Sequence, residues 1–69
     1  MAPGATPGRR LFDACKEGRT DVVQVWLNKG AEVDWSNTWG ETPLFIACQN
    51  DHVEAARLLL DQGAEVDRA

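Results

Sequence analysis

Cys48 and His52 stand four residues apart, a spacing that can bring a thiol and an imidazole to one face of a helix, and Cys15 is the chain's other cysteine. Residues of these types suggest a nucleophile beside its base, or part of a zinc site with Cys15 as a third ligand. Their surroundings argue against both. A zinc site normally takes four ligands and no fourth is evident; His52 also falls past the end of the helix that would carry Cys48. No Gly-rich phosphate loop is present either. Catalytic residues, metal ligands and cofactors are therefore all expected to be none.

The elements that carry the cysteines repeat. Displaced by 33 residues against itself, the chain pairs Leu11 with Leu44, Phe12 with Phe45, Ala14 with Ala47, Cys15 with Cys48 and Leu27 with Leu60. The same register runs into "GAEVD", which stands at Gly30 to Asp34 and again at Gly63 to Asp67 without a change. Equivalent positions in neighbouring helix pairs should lie roughly 8–10 Å apart, beyond disulfide reach. Both cysteines are thus expected as free, buried thiols.

Within each unit the apolar pattern is helical. "LFDACKEG" and "PLFIACQND" form first helices, and "VVQVWLNKG" and "AARLLLDQG" form second ones, each too short to be stable alone. Gly30 and Gly63 follow the last apolar residues, where a helix closes with a left-handed residue. Thr42 supplies an N-cap hydroxyl and Pro43 the first helical residue, which needs no amide hydrogen. Between the pairs, "NTWGE" is a turn-forming cluster in which Gly40 can take a positive φ. A projecting, hairpin-like loop is expected there, in preference to one helical bundle lacking repeat geometry.

At 69 residues, 43% of them hydrophobic, there is room for one small domain of limited stability and no apolar stretch of membrane-spanning length. "MAPGATPG" is rich in Pro and Gly and lacks the basic start and apolar run of an export signal, so residues 1–8 are expected to form a disordered tail. Without an export signal, a reducing compartment, cytoplasm or nucleus, is the expected location. The net charge is −4, and five basic against eleven acidic residues follow from Leu11 onward, a balance of −6. Nucleic acid and anionic membranes are thereby disfavoured as partners, and a basic or mixed peptide surface is favoured.

A 33-residue unit that reads turn, Thr-Pro-Leu, helix, helix, Gly-Ala-x-Val-Asp resembles the ankyrin repeat, whose signature T-P-L-H-x-A is matched by Thr42-Pro43-Leu44-Phe45-Ile46-Ala47. The resemblance covers 9–69. It implies an all-α solenoid fragment: unit one (9–34, of N-terminal capping type), a connector (35–41) and unit two (42–69, of internal type), with a β-hairpin-like loop between two helix-turn-helix units. Two departures are visible. Phe45 replaces the family's histidine, so apolar packing is expected in place of its polar tie to the Thr-Pro turn, and Asp51 replaces a glycine that Gly18 retains in unit one, so that Asn50 or Asp51 is expected to take the left-handed conformation there, less readily than glycine. Unit one is also read as lacking a Thr-Pro turn, and its Asp13 stands where unit two has Ile46, as expected of a water-facing terminal unit. The trailing face of unit two, including some of Val53, Leu58 and Leu59, is expected to be under-covered because Ala69 ends the sequence where another hairpin would begin.

The resemblance further implies a non-catalytic protein-binding module. Ankyrin repeats take partners on hairpin tips and on the inner surface of their first helices, which here correspond to Thr38, Trp39, Glu41, Gln49 and Asn50, with Lys16 and Glu17 in unit one. Trp39, beside Gly40 at the tip, is the leading contact, since tryptophan is enriched among binding hot spots. Trp35 reads as hairpin base and Trp26 as core. Two other classes compete: a truncated or self-associating piece of a longer array, because such stacks need three or more repeats, and an enzyme or metal protein.

Overall fold

The computed structural model describes residues 6–64. Four helices run in chain order: α1 (Pro7–Glu17), α2 (Thr20–Asn28), α3 (Pro43–Gln49) and α4 (Val53–Asp61). No strand occurs among the described residues, so the fold is all-α. α1 packs on α2 and on α3, while α4 packs on α3 and on α2, which sets the two helix pairs side by side.

The 33-residue period is written into the backbone hydrogen bonds. Arg19 N–H donates to the Ala14 carbonyl and His52 N–H to Ala47, closing the first helix of each unit; Ala31 N–H donates to Trp26 and Ala64 N–H to Leu59, closing the second. Gly18 takes φ +73° and its counterpart Asp51 takes φ +64°. Asp51 is thus the aspartate that adopts the left-handed turn, a conformation unfavourable for most side chains but accessible to a short polar one.

At the other end of the first helices the period breaks by three residues. Thr42 Oγ1 accepts the Phe45 N–H at 3.1 Å, and Thr6 Oγ1 accepts the Arg9 N–H at 3.2 Å, each just ahead of a proline at the first helical position. Unit one therefore does possess a Thr-Pro start, Thr6-Pro7, placed about one turn further upstream than the period dictates. Pro7 and Gly8 belong to α1, not to a tail; residues 1–5 of the expected tail, and Glu65 to Ala69 with the end of the second "GAEVD", lie outside the described residues.

One apolar core runs through both pairs. Leu11, Cys15 and Val23 of unit one and Leu44, Ala47, Ala55 and Leu59 of unit two are buried in a single cluster. Of the three residues named for the trailing face, Leu59 is fully buried in this cluster and Leu58 packs partly buried against it. Val53 and Leu60, by contrast, are 59% and 44% exposed, against 8% for Leu27, the unit-one counterpart of Leu60. Trp26 is only half-buried, packing against the edge of the core with Arg10 and Lys29 each 5.9 Å from its ring centroid.

Candidate functional site

The connector is organised by one side chain. Asn37 Oδ1 accepts the backbone N–H of both Trp39 and Glu41 at 2.9 Å, and its Nδ2 donates to Glu41 Oε1 at 2.8 Å. Its backbone N–H donates to the Glu41 carbonyl at 3.1 Å, and Gly40 N–H returns to the Asn37 carbonyl at 3.0 Å, with Gly40 at φ +78°. One asparagine side chain thus satisfies two turn amides, and the loop is held without a strand ladder among the described residues. The consequence falls on Trp39: its backbone N–H is pinned, yet the residue is 82% exposed.

The base of the connector is held differently. The ring of Trp35 lies 5.4 Å from that of Phe12 at 59°, a tilted aromatic pair, and its indole also lies against Gly8 on the first turn of α1. Between this base and the tip runs a groove of about 240 Å³. Phe12, Trp35 and Ile46 contribute apolar lining; Arg9, Asp13 and Lys16 enter from α1, and Asn37, Thr38, Trp39 and Glu41 from the connector.

Of the residues expected to meet a partner, the structure brings Lys16, Thr38, Trp39 and Glu41 together in this groove. Gln49 and Asn50 are exposed at the end of α3 outside it, and Asn50 Nδ2 donates to the Lys16 carbonyl at 3.1 Å, tying unit two to the end of α1. Glu17 borders a separate hollow with Trp26 and Arg19, pairing with Arg19 at 3.1 Å. Sequence reasoning passed over Asn37, whose place two residues before Trp39 in a turn cluster is a local signal for side-chain-to-backbone bonding. Phe12 and Trp35 carried no local signal of their pairing.

The cysteines separate. Cys15 is buried, and desolvation pushes its thiol up to about 12. Cys48 is exposed, correcting the expectation of two buried thiols: α3 of unit two packs on α1 of unit one, and among the described residues no further helix pair packs on α3 in the same way. Cys48 and His52 border one shallow hollow on that face, without a hydrogen bond between them among the described residues. The His52 ring lies against Gly18 of unit one. Among the described residues no group of three or more His, Cys, Asp or Glu side chains is placed to hold a metal ion.

These features define a stacked helical-repeat protein whose exposed, pre-shaped surface lies on a loop and the inner face of its first helices. Residues 11–68 match the family model described as ankyrin repeats (many copies), and the chain belongs to the ankyrin-repeat family. No individual curated protein matches it. Ankyrin repeats generally serve as protein–protein interaction modules and are generally not catalytic. No helix among the described residues is long and apolar enough to cross a membrane.

Proposed function

We propose that this protein is a non-catalytic binding module that takes a protein partner in the groove between the connector tip and the inner face of α1. The observation that carries the reading is Trp39: a large indole held almost wholly in water by a backbone that Asn37 has already ordered. A backbone already ordered reduces the conformational freedom lost on binding, and the exposed indole offers a large apolar area of the kind enriched at binding hot spots. Lys16, Thr38 and Glu41 adjoin it in the groove, and Gln49, Asn50 and Glu17 extend the same reading to the exposed surface nearby. The acidic balance of the chain favours a basic or mixed peptide surface over nucleic acid or anionic membrane.

Selection of a peptide library on the protein, followed by amide-shift mapping of the enriched sequences, tests this. Shifts clustered on Thr38, Trp39, Glu41 and Lys16, abolished by Trp39→Ala, are expected. Failure to enrich any peptide, or enrichment indifferent to Trp39→Ala, would overturn it.

A second reading has its own observation. Cys48, Val53 and Leu60 are exposed on unit two, whereas Cys15 and Leu27, the unit-one counterparts of Cys48 and Leu60, are buried. On that reading the chain is a structural piece of a longer array, or associates with itself through these exposed residues. Thermal unfolding across a wide concentration range tests the self-associating form, since association raises the midpoint with concentration and an independent monomer keeps it constant.

A further inference from the structure

We propose that the groove takes a single cationic side chain of the partner, best an arginine, between the Trp39 ring and the carboxylates of Asp13 and Glu41; this rests on the groove reading above. Three tryptophans are present, and they differ in what faces them. Trp26 already has two cations, Arg10 and Lys29, each 5.9 Å from its ring centroid. Trp35 is engaged by Phe12 at the groove base, while Trp39 has no cation over it among the described residues and stands open to solvent. An indole face attracts a guanidinium through its quadrupole, and an arginine stacks there more readily than a lysine because it is less tightly hydrated.

The carboxylates of the groove are not committed to tight ion pairs. Glu41 receives a neutral amide hydrogen from Asn37 at 2.8 Å, and Asp13 meets Arg9 Nε only at 3.7 Å, with both side chains about half exposed. An exposed pair of that length contributes little and yields readily to a competing cation. Arg9 and Lys16 also border the groove, so its positive groups balance its negative ones. Of the basic and mixed surfaces favoured above, that balance selects the mixed one: a single cation beside neutral or apolar residues meets Asp13 and Glu41, whereas each further cation meets Lys16 or Arg9.

The test uses three acetylated, amidated heptapeptides of sequence Gly-Leu-Gly-X-Gly-Leu-Gly, in which X is arginine, its neutral isostere citrulline, or glutamate. Binding is followed by the indole N–H signals of Trp39 and Trp35, with Trp26 as internal reference. The arginine peptide is expected to shift Trp39 and Trp35 with an apparent Kd about five- to tenfold tighter than the citrulline peptide, and the glutamate peptide to be weakest. Glu41→Gln retains an acceptor for Asn37 and should bring the arginine and citrulline peptides within about twofold of each other. Equal binding of arginine and citrulline at the same indoles overturns the cation preference and leaves the groove reading intact. Shifts confined to the Trp26 indole, or no indole shift with any peptide up to its solubility limit, overturn both.

Discussion

The indole of Trp35 occupies the space a side chain would fill at Gly8: a Cβ built on Gly8 would meet Trp35 Cγ and Cδ1 at 2.5 Å and Trp35 Cβ at 2.8 Å. The absence of a side chain on the first turn of α1 is thus what lets the connector base lie flat on the helix and reach Phe12. This contact joins the groove's two walls, one from α1 and one from the connector.

Gly8→Ala should therefore destabilise the protein, although alanine is the better helix former. The propensity gain is at most about 1 kcal/mol, whereas overpacking against a ring and the Cβ behind it costs roughly 1–3 kcal/mol. Urea unfolding followed by tryptophan fluorescence is expected to show a lower midpoint, together with a changed native spectrum as Trp35 tilts away from Phe12. A raised midpoint would contradict the contact.

Thr6→Ala and Thr42→Ala should each cost about 1 kcal/mol, since each removes the hydroxyl that accepts a first-turn amide. The Thr42 change is expected to be the larger, because Thr42 is buried and its orphaned Phe45 amide is less accessible to water. Helix content by circular dichroism and the urea midpoint measure both. A silent Thr6→Ala would mean that α1 starts downstream of Pro7.

Asp51→Gly should stabilise by roughly 0.5–1 kcal/mol, relieving a positive φ that costs a side chain and nothing for glycine. The reciprocal Gly18→Ala should be destabilising: it places a Cβ at φ +73° and within 2.5 Å of the His52 ring, which packs unit two onto unit one. Thermal melts of the two variants should move in opposite directions.

One thiol should react quickly with a disulfide reagent in the native protein and two in denaturant, Cys48 being exposed and Cys15 buried. Burial raises the Cys15 pKa from 9.0 to about 12, so the folded state holds that proton more tightly than the unfolded chain. Its contribution to stability is complete below about pH 9 and is lost as pH rises through the window up to about 12. Cys15→Ala should flatten this alkaline decline in unfolding free energy, and Cys48→Ala should leave it in place.

Trp39→Ala should leave stability within about 0.5 kcal/mol of the parent, as expected for a side chain in solvent, while removing most of the groove's affinity for peptide. A melt that collapses with this substitution would reassign Trp39 to packing.

The helix pairs, their order and their stops were legible in the residues alone because those signals act over a few positions: the apolar period, Thr42 ahead of Pro43, the glycines after the last apolar residue, and a repeat that returns every 33 residues. Even Thr6-Pro7 is a local cap, hidden by the Pro and Gly content of the segment around it. Tertiary structure alone decided what faces what. Cys15 and Cys48 occupy the same position in their units, yet one is buried and the other exposed, because burial depends on whether a neighbouring helix pair lies over that face. The pairing of Trp35 with Phe12 and Gly8, and the groove it shares with Asn37, Trp39 and Glu41, likewise arise where residues distant along the chain are brought side by side, which no local pattern encodes.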